Sequence, residues 1–240
     1  MTELNQEVDQ RRVRFSDAHW YNSKEKLDIS IIGLGGIGSY LAYFLSRIGN
    51  HNFYIYDYDV IDETNMAGQF YPIIDIGLPK VEACSLLMER FSGSNPNMMA
   101  KFTKDSMVTP YMFSPLDNMD VRKLAFDKWV EEYGDSNEAL FVDCRMLMES
   151  LEVYFVTKDR IEDYRKQLFP DAEVEEAPCS AKATSHCGAM CASLAVAGFT
   201  NYLSNLYTDT DIREVPFKLR VDLPFMSFKL PAYETSTSII

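Results

Sequence analysis

The sequence predicts an α/β fold: a doubly wound, mostly parallel sheet with helices on both faces. Three observations carry the prediction. A short apolar run, Asp28-Ile29-Ser30-Ile31-Ile32, ends directly at Gly33-Leu34-Gly35-Gly36-Ile37-Gly38. The stretch from Ser39 to Ile48 then reads as a buried helix closed by Gly49-Asn50, and a second apolar run, Asn52 to Tyr56, ends at Asp57. Strand, glycine turn, helix and strand make a βαβ unit, whose crossover is right-handed and whose strands are therefore parallel. Further along the chain, strand-like and helix-like segments keep alternating, the pattern of a Rossmann-like sheet.

Each later element has its own reason. Pro79 sits where a helix begins, and Val81, Cys84, Leu86, Leu87 and Phe91 share one face, which predicts a helix over 80–91. A strand is expected at 98–102. A helix over 119–133 packs Val121, Leu124, Phe126, Trp129 and Val130. Ala139-Leu140-Phe141-Val142 is a compact apolar strand expected to end at Asp143, followed by a strand at 151–156 and a helix at 160–169. The small, apolar run from Gly188 to Leu206 reads as a helix suited to close packing on a sheet. The tail from 215 to 230 alternates like a strand and predicts late, antiparallel strands. The resulting organisation is an arm over 1–26, a nucleotide-binding domain over 27–206 and a strand extension of that domain over 207–240.

Composition narrows the function classes. With 240 residues and 47% apolar content, the chain buries one substantial core. A net charge of −13 opposes a nucleic-acid partner, because phosphate binding needs concentrated Lys and Arg. No run approaches the roughly 18 apolar residues of a membrane span, and the first residues are charged, unlike a signal peptide. A cytoplasmic location without membrane attachment is the expectation. The five cysteines, Cys84, Cys144, Cys179, Cys187 and Cys191, include no CxxC pair, so neither a disulfide framework nor structural zinc is expected.

The glycine cluster has a chemical purpose. Gly33 supplies the tight turn, Gly35 and Gly36 let phosphate or ribose approach the backbone, and Gly38 lets the helix lie close to the sheet. The helix N-terminus offers free N–H groups to an anion, and Asp57 is placed to accept from ribose hydroxyls. These features alone fit NAD(P) as readily as ATP, so an NAD(P)-dependent oxidoreductase is one reading.

Other residues turn the choice. The glycine cluster is followed by Asp57-Tyr58-Asp59-Val60, by Thr64-Asn65-Met66 with Gln69, and by Gly77-Leu78-Pro79-Lys80-Val81-Glu82. This series resembles the ThiF/MoeB/HesA family, relatives of ubiquitin-activating enzymes, whose run reads GxGGxG, DxDxV, SN(L)xRQ and G(x)PK(V/A). The resemblance is close from residue 29 to about 91. It implies an ATP-dependent adenylyltransferase that uses Mg2+ and activates the C-terminal carboxylate of a small β-grasp (ubiquitin-like or sulfur-carrier) protein or of a peptide, acting as a homodimer. It also implies that Asp57 holds the ribose, that Asn65 and Gln69 line the phosphate site, and that Lys80 contacts the phosphates. An N-terminal arginine, Arg12 or Arg14, is then a candidate to reach a partner's nucleotide.

The pattern has two departures. Gly68 stands where the family places arginine, and the second acidic motif, D-C-x-D-N, is read at Asp143-Cys144-Arg145-Met146-Leu147, with Met146 in place of the magnesium aspartate. Asp143 is then the candidate for the metal or its water, and Arg145 for the cation absent at Gly68. Cys179, on a loop with Lys182 and His186, is the candidate for a thioester, since nearby cations favour thiolate. The other four cysteines read as small core residues. A non-catalytic relative that keeps the fold as a binding module is the third reading.

Overall fold

A computed structural model describes residues 10–22, 25–169 and 184–229. Eight strands form a single sheet: β1 Asp28–Ile32, β2 Asn52–Tyr56, β3 Asn97–Met99, β4 Tyr111–Ser114, β5 Leu140–Leu147, β6 Ser150–Val156, β7 Lys218–Asp222 and β8 Ser227–Lys229. Their order is β3-β2-β1-β4-β5-β6-β7-β8. From β3 to β5 every pairing is parallel, and from β5 to β8 every pairing is antiparallel. The chain therefore has the Rossmann-like, mostly parallel sheet with late antiparallel strands that the sequence predicts.

Three long helices, α1 Gly38–Ile48, α2 Lys80–Ser92 and α5 Ser185–Tyr207, cover one face of the sheet. The core there joins Ile29 and Ile31 of β1, Phe113 of β4 and Val142 and Cys144 of β5 to Leu41, Leu45, Leu87 and Phe199. The opposite face carries α3 Met119–Tyr133 and the short α4 Ile161–Arg165, which bury Phe126, Trp129 and Tyr164 against Ile32, Met112 and Phe141. Alternate residues of β1 and β5 thus feed two separate cores, as period-two pleating requires.

Several boundaries move. The strand expected at 98–102 is three residues long and begins at Asn97. The helix expected at 160–169 is only one turn of α-helix, entered through a 3-10 turn at Lys158–Arg160. The last helix starts at Ser185, before Gly188. Two differences bear on the site. β4 is a central strand that the pattern did not predict, because its four residues are all buried and show no alternation. β5 does not end at Asp143; it runs to Leu147 and turns back as β6, with Asp143 opposite Tyr154.

Candidate nucleotide site at the glycine turn

The carboxyl ends of β1, β2 and β4 meet at the glycine turn. Gly33 has φ +96°, a left-handed conformation that only glycine takes without strain, and a Cβ on Gly38 would stand 1.9 Å from the Gly33 carbonyl. The turn is braced on all sides. Gly33 N–H donates to the Tyr56 carbonyl at 2.8 Å, and Leu34 N–H donates to Asp57 Oδ2 at 2.7 Å. The Tyr71 hydroxyl donates to the Leu34 carbonyl at 2.8 Å, and Ser39 Oγ donates to the Gly35 carbonyl at 2.8 Å while accepting from Phe70 N–H at 2.9 Å. Tyr71 and Ser39 are thus parts of the cradle that motif spacing did not single out.

The sequence-predicted residues converge here. Asp57 uses one oxygen for Leu34 and the other for Asp59 N–H at 2.8 Å. Burial raises its carboxyl above the ordinary value, opposed by those two backbone bonds. A carboxylate accepts about four hydrogen bonds, so capacity for a ribose hydroxyl remains. Asn65 accepts from Asp62 N–H at 3.2 Å in a capping box that fixes the 62–65 turn. Gln69 reaches over Gly35: its Nε2 lies 3.9 Å from where a Gly35 Cβ would be, and among the described residues nothing else outside the turn stands within 4 Å of that point and its buried Oε1 has no hydrogen-bond partner. The open glycine backbone leaves room for a ligand beside the Gln69 amide, whose nitrogen can donate and whose oxygen can accept from a hydroxyl or water.

Lys80, first residue of α2, has a side chain only 8% exposed, and its Nζ pairs with Asp59 Oδ2 at 2.8 Å. Its backbone N–H also donates to the Asp59 carbonyl at 2.9 Å. The Asp57-x-Asp59 pair therefore divides its work: Asp57 holds the turn and Asp59 holds the lysine.

Asp143 and Arg145 are placed otherwise than expected. Asp143 is fully buried; its Oδ1 accepts from Arg122 Nε at 2.8 Å, and its Oδ2 accepts from Arg145 Nε at 2.6 Å and the Tyr164 hydroxyl at 2.8 Å. The carboxylate expected to take the metal is, in this arrangement, wedged between two guanidinium groups. Arg145 is committed as well: its guanidinium lies 4.7 Å from the centre of the Tyr154 ring, and Nη1 donates to the Gln167 carbonyl at 3.1 Å. Its buried Nη2 has no hydrogen-bond partner among the described residues.

The strand end that touches the glycine turn is that of β4. A Cβ on Gly33 would stand 3.3 Å from both the Pro115 carbonyl oxygen and Leu116 Cδ2. The segment leaving this strand, Ser114-Pro115-Leu116-Asp117-Asn118, carries Asp-Asn at the spacing of the second acidic motif. Asn118 caps α3, accepting from Val121 N–H at 2.8 Å, and Asp117 just before it is exposed. The strand before Asp117 is too short to stand out in the sequence; the Asp-Asn pair at a helix start is its local signal.

The remaining candidates separate from the turn. Cys179 and Lys182 lie outside the described residues. Cys84, Cys144, Cys187 and Cys191 are buried free thiols. Arg12 is buried and donates to the Gly49 carbonyl at 3.0 Å, while Arg11 donates to the Ser92 carbonyl at 2.9 Å. Both therefore serve the carboxyl ends of α1 and α2, where a cation complements the negative end of the helix dipole. Arg14 is exposed. The start of α5 closes on the turn instead: a Cβ on Gly188 would stand 2.2 Å from the Gly36 carbonyl.

Comparison with known proteins agrees with this geometry. The family model described as ThiF matches residues 10–229. Ubiquitin-like modifier-activating enzyme 5 from Oryza sativa subsp. japonica is 33% identical over 78 residues, 32% of this chain and 18% of that protein. The enzyme of the same name from Caenorhabditis elegans is 36% identical over 63 residues, 26% of this chain and 15% of that protein. The match thus spans under a fifth of these relatives. Among solved structures, E. coli MccB with ATP superposes with a TM-score of 0.66 at 12% identity, covering 93% of this chain and 71% of that one. PaaA superposes with a TM-score of 0.67 at 14% identity, covering 95% and 84%. These structures share the fold.

Proposed function

The chain belongs to the ThiF family, and from that premise we propose that it binds ATP with magnesium at the glycine turn and adenylates the C-terminal carboxylate of a peptide or small β-grasp protein. A carboxylate oxygen attacks the α-phosphorus, the bond from that phosphorus to the bridging oxygen breaks, and pyrophosphate leaves with the electron pair. Because the carboxylate is a weak nucleophile facing a polyanion, the catalytic task is positioning and neutralisation of charge. Gly35 and Gly36 let the phosphates reach the backbone, and the α1 N-terminus supplies N–H donors. Asp57 takes the ribose, the side-chain amide N–H groups of Asn65 and Gln69 donate to phosphate oxygens, and Lys80 exchanges Asp59 for the phosphates. Asp117 is the carboxylate that would hold magnesium, sharing it with phosphate oxygens; when bound, the ion adds positive charge where the pyrophosphate develops its own negative charge.

The observation that carries this reading is the cradle itself: the open Gly35 backbone with the Gln69 amide nitrogen above it, and Lys80 with the Asp57–Asp59 pair beside it. A macromolecular acyl donor is supported by Leu147, Met148, Phe225 and Met226. These exposed apolar side chains stand on the β5–β6 and β7–β8 turns, at the same end of the sheet as the glycine turn. For a second step, the Cys179 thiolate would attack the acyl-adenylate carbonyl, forming a thioester and expelling AMP. A thiol-labile adduct, lost in Cys179→Ser, reads out that step.

ATP–pyrophosphate exchange tests the first step. Exchange should depend on a carboxylate donor and fall on the order of a hundred-fold or more in Lys80→Ala, as when one preorganised charge-stabilising donor is removed. Gly68, where the family has arginine, favours a second reading as a nucleotide-binding module without catalysis. ATP binding with no exchange, across peptide and β-grasp donors, would establish that reading.

A further inference from the structure

We propose that Asp143 is a positioning residue that acts through Arg122: it holds the Pro115–Asn118 loop against the glycine turn and so fixes where the Asp117 carboxylate stands. The inference rests on the functional reading above and concerns how this chain builds its acidic residue into place.

Arg122 spans two structures. Its side chain is 5% exposed; Nε donates to Asp143 Oδ1 at 2.8 Å, Nη1 reaches Met119 Sδ at 3.4 Å and Nη2 donates to the Leu116 carbonyl. Leu116 is the residue before Asp117 and lies against Gly33. One arm of the guanidinium therefore grips the loop from beneath while the other is anchored in β5. The planar fork of arginine makes the two ends a rigid strut, which a lysine at this position would not provide. A guanidinium this deeply buried needs a counter-ion, and Asp143 supplies it. Asp143 is itself prevented from turning, because Arg145 at 2.6 Å and the Tyr164 hydroxyl at 2.8 Å hold its second oxygen. The Arg122 fork that Asp143 orients leads straight to the loop at the glycine turn.

The test combines hydrogen exchange without nucleotide and thermal stabilisation by ATP across a magnesium titration, on wild type, Asp143→Asn, Arg122→Lys and Tyr164→Phe. Tyr164→Phe removes a donor from the same carboxylate without touching Arg122 and controls for general loosening of the cluster. Arg122→Lys keeps the buried ion pair, so it folds even where Asp143→Asn does not. Both Asp143→Asn and Arg122→Lys should speed exchange of the 116–119 amides beyond any change in Tyr164→Phe. They should also raise the magnesium needed for half-maximal stabilisation by roughly ten-fold or more, the usual cost of losing an outer-shell partner of a metal ligand, with the magnesium-free ATP response unchanged. Loop exchange equal to wild type in Arg122→Lys, or a magnesium midpoint that does not move when the loop loosens, overturns the proposal. A wild-type protein that does not respond to ATP at all overturns the functional reading instead, and the exchange arm still decides whether Asp143 and Arg122 hold the loop.

Discussion

Asp117 and Asp143 each follow an apolar run that enters the sheet from the same end, and each is a plausible acidic residue by sequence. In the fold they have opposite chemistry. Beyond Ser114 the chain leaves the sheet, so Asp117 emerges beside the glycine turn, exposed, on the residue before a helix cap. At the same level in the neighbouring strand, Asp143 pairs with Ser114 and the strand continues as an antiparallel hairpin, which buries the carboxylate under α3 and α4. Where strand pairing stops decides which aspartate is exposed and which becomes an internal counter-ion.

The largest expected effect lies on the buried side of this contrast. Asp143→Ala leaves the Arg122 and Arg145 guanidinium groups without their shared carboxylate and should cost about 3–5 kcal/mol in urea unfolding; a loss near zero would mean the cluster is not a buried ion pair. On the open side, packing above the turn is the next most sensitive feature. Gly188→Ala forces a methyl to within 2.2 Å of the Gly36 carbonyl, which should destabilise by about 1–3 kcal/mol and weaken ATP binding together with stability. Asn118→Ala removes the cap of α3 and should cost about 1 kcal/mol, loosening the chain around Asp117 without touching Asp143. Asp117→Asn should change stability by less than about 0.5 kcal/mol while abolishing the magnesium-dependent part of ATP stabilisation, which is the inverse of the Asp143 result.

A smaller effect concerns pH. Burial raises the Asp57 carboxyl above its ordinary 3.8, so the folded chain keeps that proton to higher pH than the unfolded chain. The Asp57 contribution to stability is therefore full below the unfolded value of about 3.9 and lost as pH rises through the folded one. Unfolding midpoints taken through the acid range should show that decline in wild type and lack it in Asp57→Asn.

Much of the glycine-turn half was legible in the sequence. Strand, turn, helix and second strand follow one another within thirty residues or so, and each has local signals: the glycines, the 3.6-residue periodicity and the strand-end aspartate. Lys80 was legible for the same reason, since Pro79 marks the helix that begins with it. The acidic motif was not. β4 is a four-residue strand between Pro110 and Pro115, buried on both faces, with no alternation to reveal it. Nor does any local pattern announce the strut, because Asp143 meets Arg122 and Tyr164 from elements 21 residues before and after it. Those contacts are made by the fold, and only the placement of β4 between β1 and β5 brings them beside the turn.

An ATP site at the glycine turn, with its metal-binding carboxylate at the end of β4, is open to direct observation. The most direct measurement is a crystal structure with manganese in place of magnesium and a non-hydrolysable ATP analogue, with the ion located by its anomalous scattering. The account predicts phosphates over Gly35 within reach of Gln69 and Lys80, and a manganese peak at Asp117. A nucleotide bound elsewhere, or a peak at Asp143 with its arginines displaced, would contradict it.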